Sequence, residues 1–112
     1  MEREFVYTKM FDKKIKELDF SEEDLVNLEY ELIDNSHLAN IMAGTGGLMK
    51  MRFDKPSSNK GKSGSYRVFY LDLKDRKIII LITLISKSEQ ENLNNKQKQE
   101  MKRFIDSIKG VY

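Results

Sequence analysis

The sequence contains no cysteine, a single histidine and a single proline. Without cysteine, the chain has no disulfide framework, no thiol nucleophile and no thiolate metal site. Its longest apolar run, Ile78–Ile85, is far shorter than the roughly 20 residues that span a membrane. No long apolar stretch follows the N-terminus, so a secretory signal is not indicated either. These absences predict a cytoplasmic protein that has no contact with a membrane.

The single histidine, His37, limits the catalytic classes that are open to this chain. Paired-histidine acid–base chemistry is excluded, and no G-x-S-x-G motif accompanies His37 to suggest a serine hydrolase. A metal site would need clustered carboxylates, yet the basic middle third contains only Asp54, Asp72 and Asp75. We therefore expect neither a metal ion nor an organic cofactor.

The charge is distributed unevenly along the chain. The 112 residues are 39% hydrophobic and 34% charged, which predicts one folded domain over residues 1–112. The net charge is −6 over Met1–Ser36, +7 over His37–Ser88 and +1 over the remainder. A basic middle third is typical of a surface that binds phosphate, although a solvated surface that aids solubility is the alternative.

Hydrophobic periodicity predicts an α+β fold in the order βααβββα, with a mostly antiparallel sheet and helices packed on it. Ser21, with a carboxylate three residues later, is an N-cap signature for the second helix. The fourth strand is apolar on both faces, which indicates a central position. The predicted segments are strands at Phe5–Thr8, Leu48–Phe53, Tyr66–Leu73 and Lys77–Ile85, and helices at Lys9–Leu18, from Ser21 to near Asn35, and from about Lys96.

Two glycine-containing stretches superficially resemble phosphate-binding loops. Gly44–Gly47 follows a predicted helix and precedes a strand, which is the reverse of the order that such a loop requires. Gly61-Lys62-Ser63 lacks the upstream glycine, because Pro56 occupies that position, and no helix follows. Both stretches are interpreted as ordinary loops.

The basic residues of the middle third are better candidates for a site. Period-two geometry places Lys50 and Arg52 on one face of the second strand, and Arg67 begins the third strand. If these strands pair as a hairpin, the three cations converge, which favours RNA or phosphate binding over an ordinary charged surface. Tyr66 lies on the opposite face from Arg67, where packing is expected, although an exposed tyrosine could stack on a base. The candidate RNA-binding residues are Lys60, Lys62 and Tyr66.

Three segments together resemble the RelE/ParE toxin superfamily, most closely its HigB-like branch. They are Gly44–Phe53, Gly61–Tyr70 and Leu84–Leu93, in the order and spacing of that superfamily. The resemblance implies a RelE-like fold and a small cytoplasmic toxin that is encoded beside an antitoxin. RelE- and HigB-like members cut messenger RNA in the ribosomal decoding site, whereas ParE-like members poison DNA gyrase.

The resemblance also assigns site residues by position. The basic pair of strand two falls on Lys50 and Arg52, and the arginine of strand three falls on Arg67. An arginine expected after strand four falls on Ser88, and a tyrosine expected near the C-terminus falls on Asn94. At these two positions the sequence departs from the superfamily, and Lys87 and Glu89 are the nearest replacements.

RNA cleavage without a metal uses the 2′-hydroxyl as the nucleophile on its own neighbouring phosphate. The enzyme must then stabilise extra negative charge on the phosphoryl oxygens and move two protons. We expect Arg52 and Arg67 to hold the scissile phosphate, because their planar donors match phosphate oxygens. Lys50 or Lys87 would move a proton, and Glu89 is a weaker candidate base.

The resemblance thus implies a type II toxin that is a ribosome-dependent mRNA endoribonuclease. Its implied partners are mRNA on the ribosome and a cognate antitoxin, which in HigB-like systems is a helix-turn-helix DNA-binding protein. Operator DNA would be contacted only through that antitoxin. Two alternatives stay open: a ParE-like inhibitor of DNA gyrase, and an RNA- or ribosome-binding module whose catalytic groups are lost, as Ser88 and Asn94 suggest.

Overall fold

The computed structural model describes residues 3–35, 40–56, 65–90 and 92–111. The predicted order βααβββα is confirmed, and the predicted ends agree within one residue. In the described residues the strands are β1 (Glu4–Tyr7), β2 (Met49–Asp54), β3 (Ser65–Leu73) and β4 (Ile78–Ser86). The α-helices are α1 (Lys9–Glu17), α2 (Glu22–Asn35) and α3 (Asn95–Val111), and a 3₁₀ turn (Lys74–Arg76) joins β3 to β4.

The four described strands form one sheet in the order β1-β4-β3-β2. The β2–β3 and β3–β4 pairs are antiparallel, whereas β1 runs parallel to β4. The sheet is therefore mixed and mostly antiparallel. The central position predicted for β4 is confirmed, because it lies between β1 and β3 and every residue after Ile78 is buried.

Helices cover both faces of this sheet. Phe11 of α1, with Leu28 and Leu32 of α2, belongs to the hydrophobic cluster on one face. Met101 and Ile105 of α3 belong to the cluster on the other face, which we name the α3 face. Among the described helices none is long and apolar enough to span a membrane.

Side-chain caps fix where the first two helices begin. The Oγ1 of Thr8 accepts a hydrogen bond from the Phe11 backbone N–H at 3.1 Å and donates one to the Ile82 carbonyl at 2.9 Å. The cap predicted at Ser21 is confirmed: its Oγ accepts from the Asp24 N–H at 3.1 Å, and the Asp24 carboxylate accepts from the Ser21 N–H at 2.9 Å. Such reciprocal bonds satisfy two backbone donors that a helix N-terminus leaves unpaired.

A β-bulge interrupts the pairing of β3 with β4. Phe69 is paired with Thr83 and Tyr70 with Leu81, so Ile82 is the extra residue on β4. A bulge of this kind re-aims the side chains that follow it. Here it leaves both Ile82 and Thr83 on the α3 face, and Thr83 becomes the direct neighbour of Phe69.

Two tyrosines, the buried Tyr70 and the half-buried Tyr7, predict how the stability of the fold depends on alkaline pH. Burial, and secondarily the charge of Asp72, raises the pKa of Tyr70 to about 12, whereas an unfolded tyrosine ionises near pH 10. Burial, together with a 2.6 Å hydrogen bond to Glu29, raises the pKa of Tyr7 as well. The unfolded chain loses its tyrosine protons first, so the free energy of unfolding should fall as the pH rises from 10 toward 12.

This expectation is checked by chemical denaturation at several values between pH 9 and pH 12. Tyr70→Phe should flatten the pH dependence, because the ionisable group is removed from both states. Tyr30→Phe is the matched control, since Tyr30 is 65% exposed and should leave the slope unchanged. Equal slopes for the wild type and Tyr70→Phe would contradict the argument.

Candidate nucleic-acid interface

The β2–β3–β4 register aligns the predicted cations in a row across the sheet. Arg52 of β2 lies directly opposite Arg67 of β3, and Arg67 lies directly opposite Ile85 of β4. Directly opposed residues of antiparallel strands share a face, so all three lie on the α3 face. Lys50 precedes Arg52 by two residues and shares that face. The predicted convergence of Lys50, Arg52 and Arg67, which we name the cation cluster, is therefore present.

The cation cluster is open to solvent and little neutralised by the protein itself. The Arg52 side chain is 59% exposed, and Lys50 and Arg67 are half-buried. Within the described part of the chain neither Lys50 nor Arg67 forms an ion pair, and Arg52 Nε lies 3.5 Å from Asp54 Oδ1. Three cations therefore face one exposed carboxylate, which leaves a positive surface.

The direct opposition of Arg52 and Arg67 does not stabilise the folded protein. Like charges placed directly opposite each other on neighbouring strands destabilise a sheet by several tenths of a kcal/mol, up to about 1 kcal/mol. An exposed ion pair such as Arg52–Asp54 returns about 0 to 1 kcal/mol, so the balance is close to zero or unfavourable. An anion that binds between the two guanidinium groups would remove the repulsion, which is why the cluster is a candidate phosphate site.

Lys87 and Glu89 lie in the turn that follows β4. The Lys87 backbone N–H donates to the Ser65 carbonyl at 3.1 Å, which brings this turn beside the start of β3, two residues before Arg67. The Glu89 N–H donates to the Ser86 carbonyl at 3.0 Å, and the Glu89 side chain is exposed. The turn therefore lies at the same end of the sheet as Arg52 and Arg67.

Tyr66 does not join the cation cluster. Its side chain is 5% exposed and belongs to the hydrophobic cluster on the face opposite Arg67. The Tyr66 ring lies edge-on to Phe20 with centroids 5.0 Å apart, and Lys55 Nζ lies 5.9 Å from the Tyr66 centroid. The predicted placement of Tyr66 on the face opposite Arg67, where its ring packs, is therefore observed, and its candidate role in RNA binding gains no support from this placement.

Two other predicted RNA-binding residues, Lys60 and Lys62, lie outside the described residues, as does most of the predicted loop Asp54–Gly64. Asp54 itself is the last residue of β2 and not a loop residue. The described residues contain no group of three or more histidine, cysteine, aspartate or glutamate side chains that could hold a metal ion.

Asp54, which forms an ion pair with Arg52, is a part of the site that was not predicted from the sequence. Its signal was present, because the alternation of Lys50 and Arg52 extends by one more step to Asp54 on the same face. A cleft of about 680 Å³ beside the cluster was also missed. Its lining comes from segments far apart in the sequence, so no local pattern reveals it.

Comparison with known proteins identifies the family. The sequence matches the family described as "RelE toxin of RelE / RelB toxin-antitoxin system" over residues 3–111. The fold is similar to a free-state double arginine-to-alanine mutant of E. coli toxin RelE, with a TM-score of 0.50, 16% identity, and coverage of 81% of this chain and 90% of that chain.

A second similar structure is the intact E. coli RelBE toxin–antitoxin complex, with a TM-score of 0.49, 15% identity, and coverage of 74% of this chain and 94% of that chain. The resemblance to the RelE/ParE superfamily and the RelE-like fold are thus confirmed, while the HigB-like branch stays a prediction. The chain belongs to the RelE toxin family, the toxins of RelE/RelB toxin–antitoxin systems.

Proposed function

We propose that this toxin is a metal-independent endoribonuclease that cuts messenger RNA on the ribosome, in the cytoplasm. The observation that carries the proposal is the direct opposition of Arg52 and Arg67 across β2 and β3, with Lys50 on the same face. Two guanidinium groups on a rigid sheet offer preorganised donors to one phosphodiester, and they are charged at every physiological pH.

The proposed reaction is an in-line displacement at phosphorus. The 2′-oxygen forms a bond to the neighbouring phosphorus while the bond from phosphorus to the 5′-oxygen breaks, which gives a 2′,3′-cyclic phosphate and a 5′-hydroxyl. One proton leaves the 2′-hydroxyl and another reaches the 5′-oxygen. Arg52 and Arg67 stabilise the phosphoryl oxygens, Lys50 or Lys87 transfers a proton, and Glu89 is a candidate base.

Dependence on the ribosome is supported by the openness of the site. The cation cluster lies on a strand surface where the Arg52 side chain is 59% exposed and Lys50 and Arg67 are half-buried. Three cations on one strand surface can bind a phosphate, but in-line attack also requires that the reacting atoms of a flexible RNA strand be oriented. A codon that is already held by the ribosome would provide that orientation.

The family also implies a protein partner for this toxin. We propose a cognate antitoxin that contains a helix-turn-helix DNA-binding domain and that contacts operator DNA on behalf of the complex. Because the cation cluster is positive and weakly paired, an acidic antitoxin segment would be attracted to it. Covering Arg52 and Arg67 would block phosphate binding directly.

Induced expression in bacteria, followed by mapping of mRNA 5′ ends, tests the proposed reaction. We expect new 5′ ends in phase with codons, and in vitro cleavage only when ribosomes are added. Lys9→Ala, at an exposed position on α1, should cleave like the wild type. DNA damage with intact mRNA would assign gyrase inhibition instead, and unimpaired growth would indicate a module without catalytic activity.

A further inference from the structure

A cleft of about 680 Å³ lies between α1 and α3, and we name it the α1–α3 cleft. Thr83 and Ile85 of β4 line it from the sheet, and Met10 of α1 and Met101 of α3 line it from opposite sides. Its volume falls within the usual range for small-molecule sites, which is about 300 to 1,000 Å³. The proposed phosphate chemistry does not use it.

The cleft lies next to the cation cluster on the same face of the sheet. Ile85 lies directly opposite Arg67, and Thr83 lies directly opposite Phe69, two residues further along β3. Neighbouring strands are about 4.8 Å apart, so the cleft begins one strand spacing from Arg67 on the same face. A ligand whose phosphate contacts Arg52 and Arg67 therefore lies near Ile85, a lining residue of the cleft.

The lining of the cleft combines apolar surface with an aromatic ring. Ile85, Leu93 and Met101 are at most 6% exposed and provide an apolar interior, and the half-buried Phe104 adds a ring. A nucleobase is a flat group with apolar faces and a polar edge, and stacking on an aromatic side chain is a general way to hold it. Lys14 adds a cation on the α1 side.

Two glutamine amides supply groups that match a base edge. Gln90 Nε2 donates to Gln97 Oε1 at 2.6 Å and to the Asn92 carbonyl at 2.5 Å. Within the described residues, this arrangement leaves Gln90 Oε1 as an acceptor and Gln97 Nε2 as a donor with no partner. Amide donors and acceptors of this kind are the groups by which asparagine and glutamine side chains recognise base edges.

We propose that the α1–α3 cleft seats one nucleobase of the RNA strand whose phosphate lies on the cation cluster, and that Gln90 and Gln97 discriminate among bases there. This inference rests on the proposed function, because it takes the ligand to be RNA. An antitoxin side chain suits the cleft less well, since the unused amide donor and acceptor point to a ligand with a polar edge. The cleft would thereby determine the sequence preference of cleavage.

Nuclear magnetic resonance of protein labelled at the methionine methyl groups tests the site without any cleavage. Met10 and Met101 line the cleft, whereas Met51 packs on the opposite face of the sheet and serves as an internal control. Titration with the four nucleoside 5′-monophosphates should shift the Met10 and Met101 signals for at least one nucleotide. Ribose 5-phosphate, which lacks a base, should not shift them.

The amide contribution is tested with Gln90→Leu, which removes the whole amide, including its bonds to Gln97 and to the Asn92 carbonyl, and keeps a similar side-chain size. Affinity for the preferred nucleotide should fall about tenfold, the size of one lost pair of base contacts. Gln99→Leu is the matched control, because Gln99 is exposed on α3 and does not line the cleft. In the ribosome assay, Gln90→Leu should reduce the preference at one codon position while cleavage continues.

Several results would overturn the inference. One is that the Met10 and Met101 signals do not shift at millimolar nucleotide. Another is that ribose 5-phosphate shifts them as much as a nucleotide does, and a third is that they shift only when the antitoxin is added. The failure of the two proposals is distinguishable. If nucleotides shift the methyl signals but the protein cuts no mRNA, the nuclease proposal fails and the base site stands. If the protein cuts mRNA but nucleotides do not shift the methyl signals, the base site fails and the nuclease proposal stands.

Discussion

Arg67→Ala is expected to reduce ribosome-dependent mRNA cleavage by at least about a hundredfold without loss of stability. Removal of one preorganised donor to a developing oxyanion typically costs 10² to 10³ in rate. The free energy of unfolding should stay the same or rise by up to about 1 kcal/mol, because Arg67 directly opposes Arg52 and has no ion pair in the described residues. Single-turnover cleavage rates and urea denaturation measure the two effects.

Two further variants test whether the effect depends on the guanidinium group of Arg67 and not on positive charge in general. Arg67→Lys keeps the charge and loses the planar pair of donors, so its rate should lie between those of the wild type and Arg67→Ala. Lys74→Ala is the positional control, since Lys74 is an exposed cation just beyond the opposite end of β3. A cleavage rate for Arg67→Ala within threefold of the wild type would remove Arg67 from the proposed site.

Asp72→Ala is expected to cause a large loss of stability. Asp72 of β3 forms a salt bridge with Arg3, which lies just before β1, and their side chains are 1% and 9% exposed. Loss of one partner of a buried pair leaves the other charge buried and unpaired, which costs about 3 to 5 kcal/mol. We therefore expect a drop of about 3 kcal/mol and a fall in Tm of more than about 10 °C, measured by thermal and urea denaturation.

The double variant Arg3→Met with Asp72→Leu separates the ion pair from the packing around it. Arg3 Nε and Asp72 Oδ2 have no hydrogen-bond partner within the described residues, so the pair is incompletely satisfied. Its replacement by apolar side chains should therefore restore most of the stability that Asp72→Ala loses. Asp75→Ala, at an exposed position, is the control. A loss for Asp72→Ala no larger than for Asp75→Ala would contradict the prediction.

The sequence predicted the elements of this fold well because their signals are local. Ser21 and the carboxylate of Asp24 are three residues apart, and the apolar run of β4 is continuous. The parallel pairing of β1 with β4 and the bulge at Ile82 were not predictable, since both depend on contacts between distant segments. The same holds for the bond between Arg3 and Asp72, which are 69 residues apart.

The candidate site was predictable only in part, for a related reason. The period of two placed Lys50 and Arg52 on one face, but their exact partners on β3 depend on the register of the hairpin. If the β2–β3 register were shifted by one residue, Arg52 would lie opposite a β3 residue whose side chain faces the hydrophobic core. The candidate role of Tyr66 in base stacking depended on exposure of its ring, and the ring packs against Phe20 instead. The α1–α3 cleft combines three separate segments and has no sequence signature.

The parallel pairing of β1 with β4 has a consequence for synthesis of the toxin. Glu4–Tyr7 leaves the ribosome early, yet its only partner among the described strands is β4, which is translated much later. Contacts between such distant segments form slowly, because a long loop must close first. The acidic segment up to Ser36 is therefore synthesised before β1 has a partner, and the sheet that carries the cations is completed only after β4 has been translated.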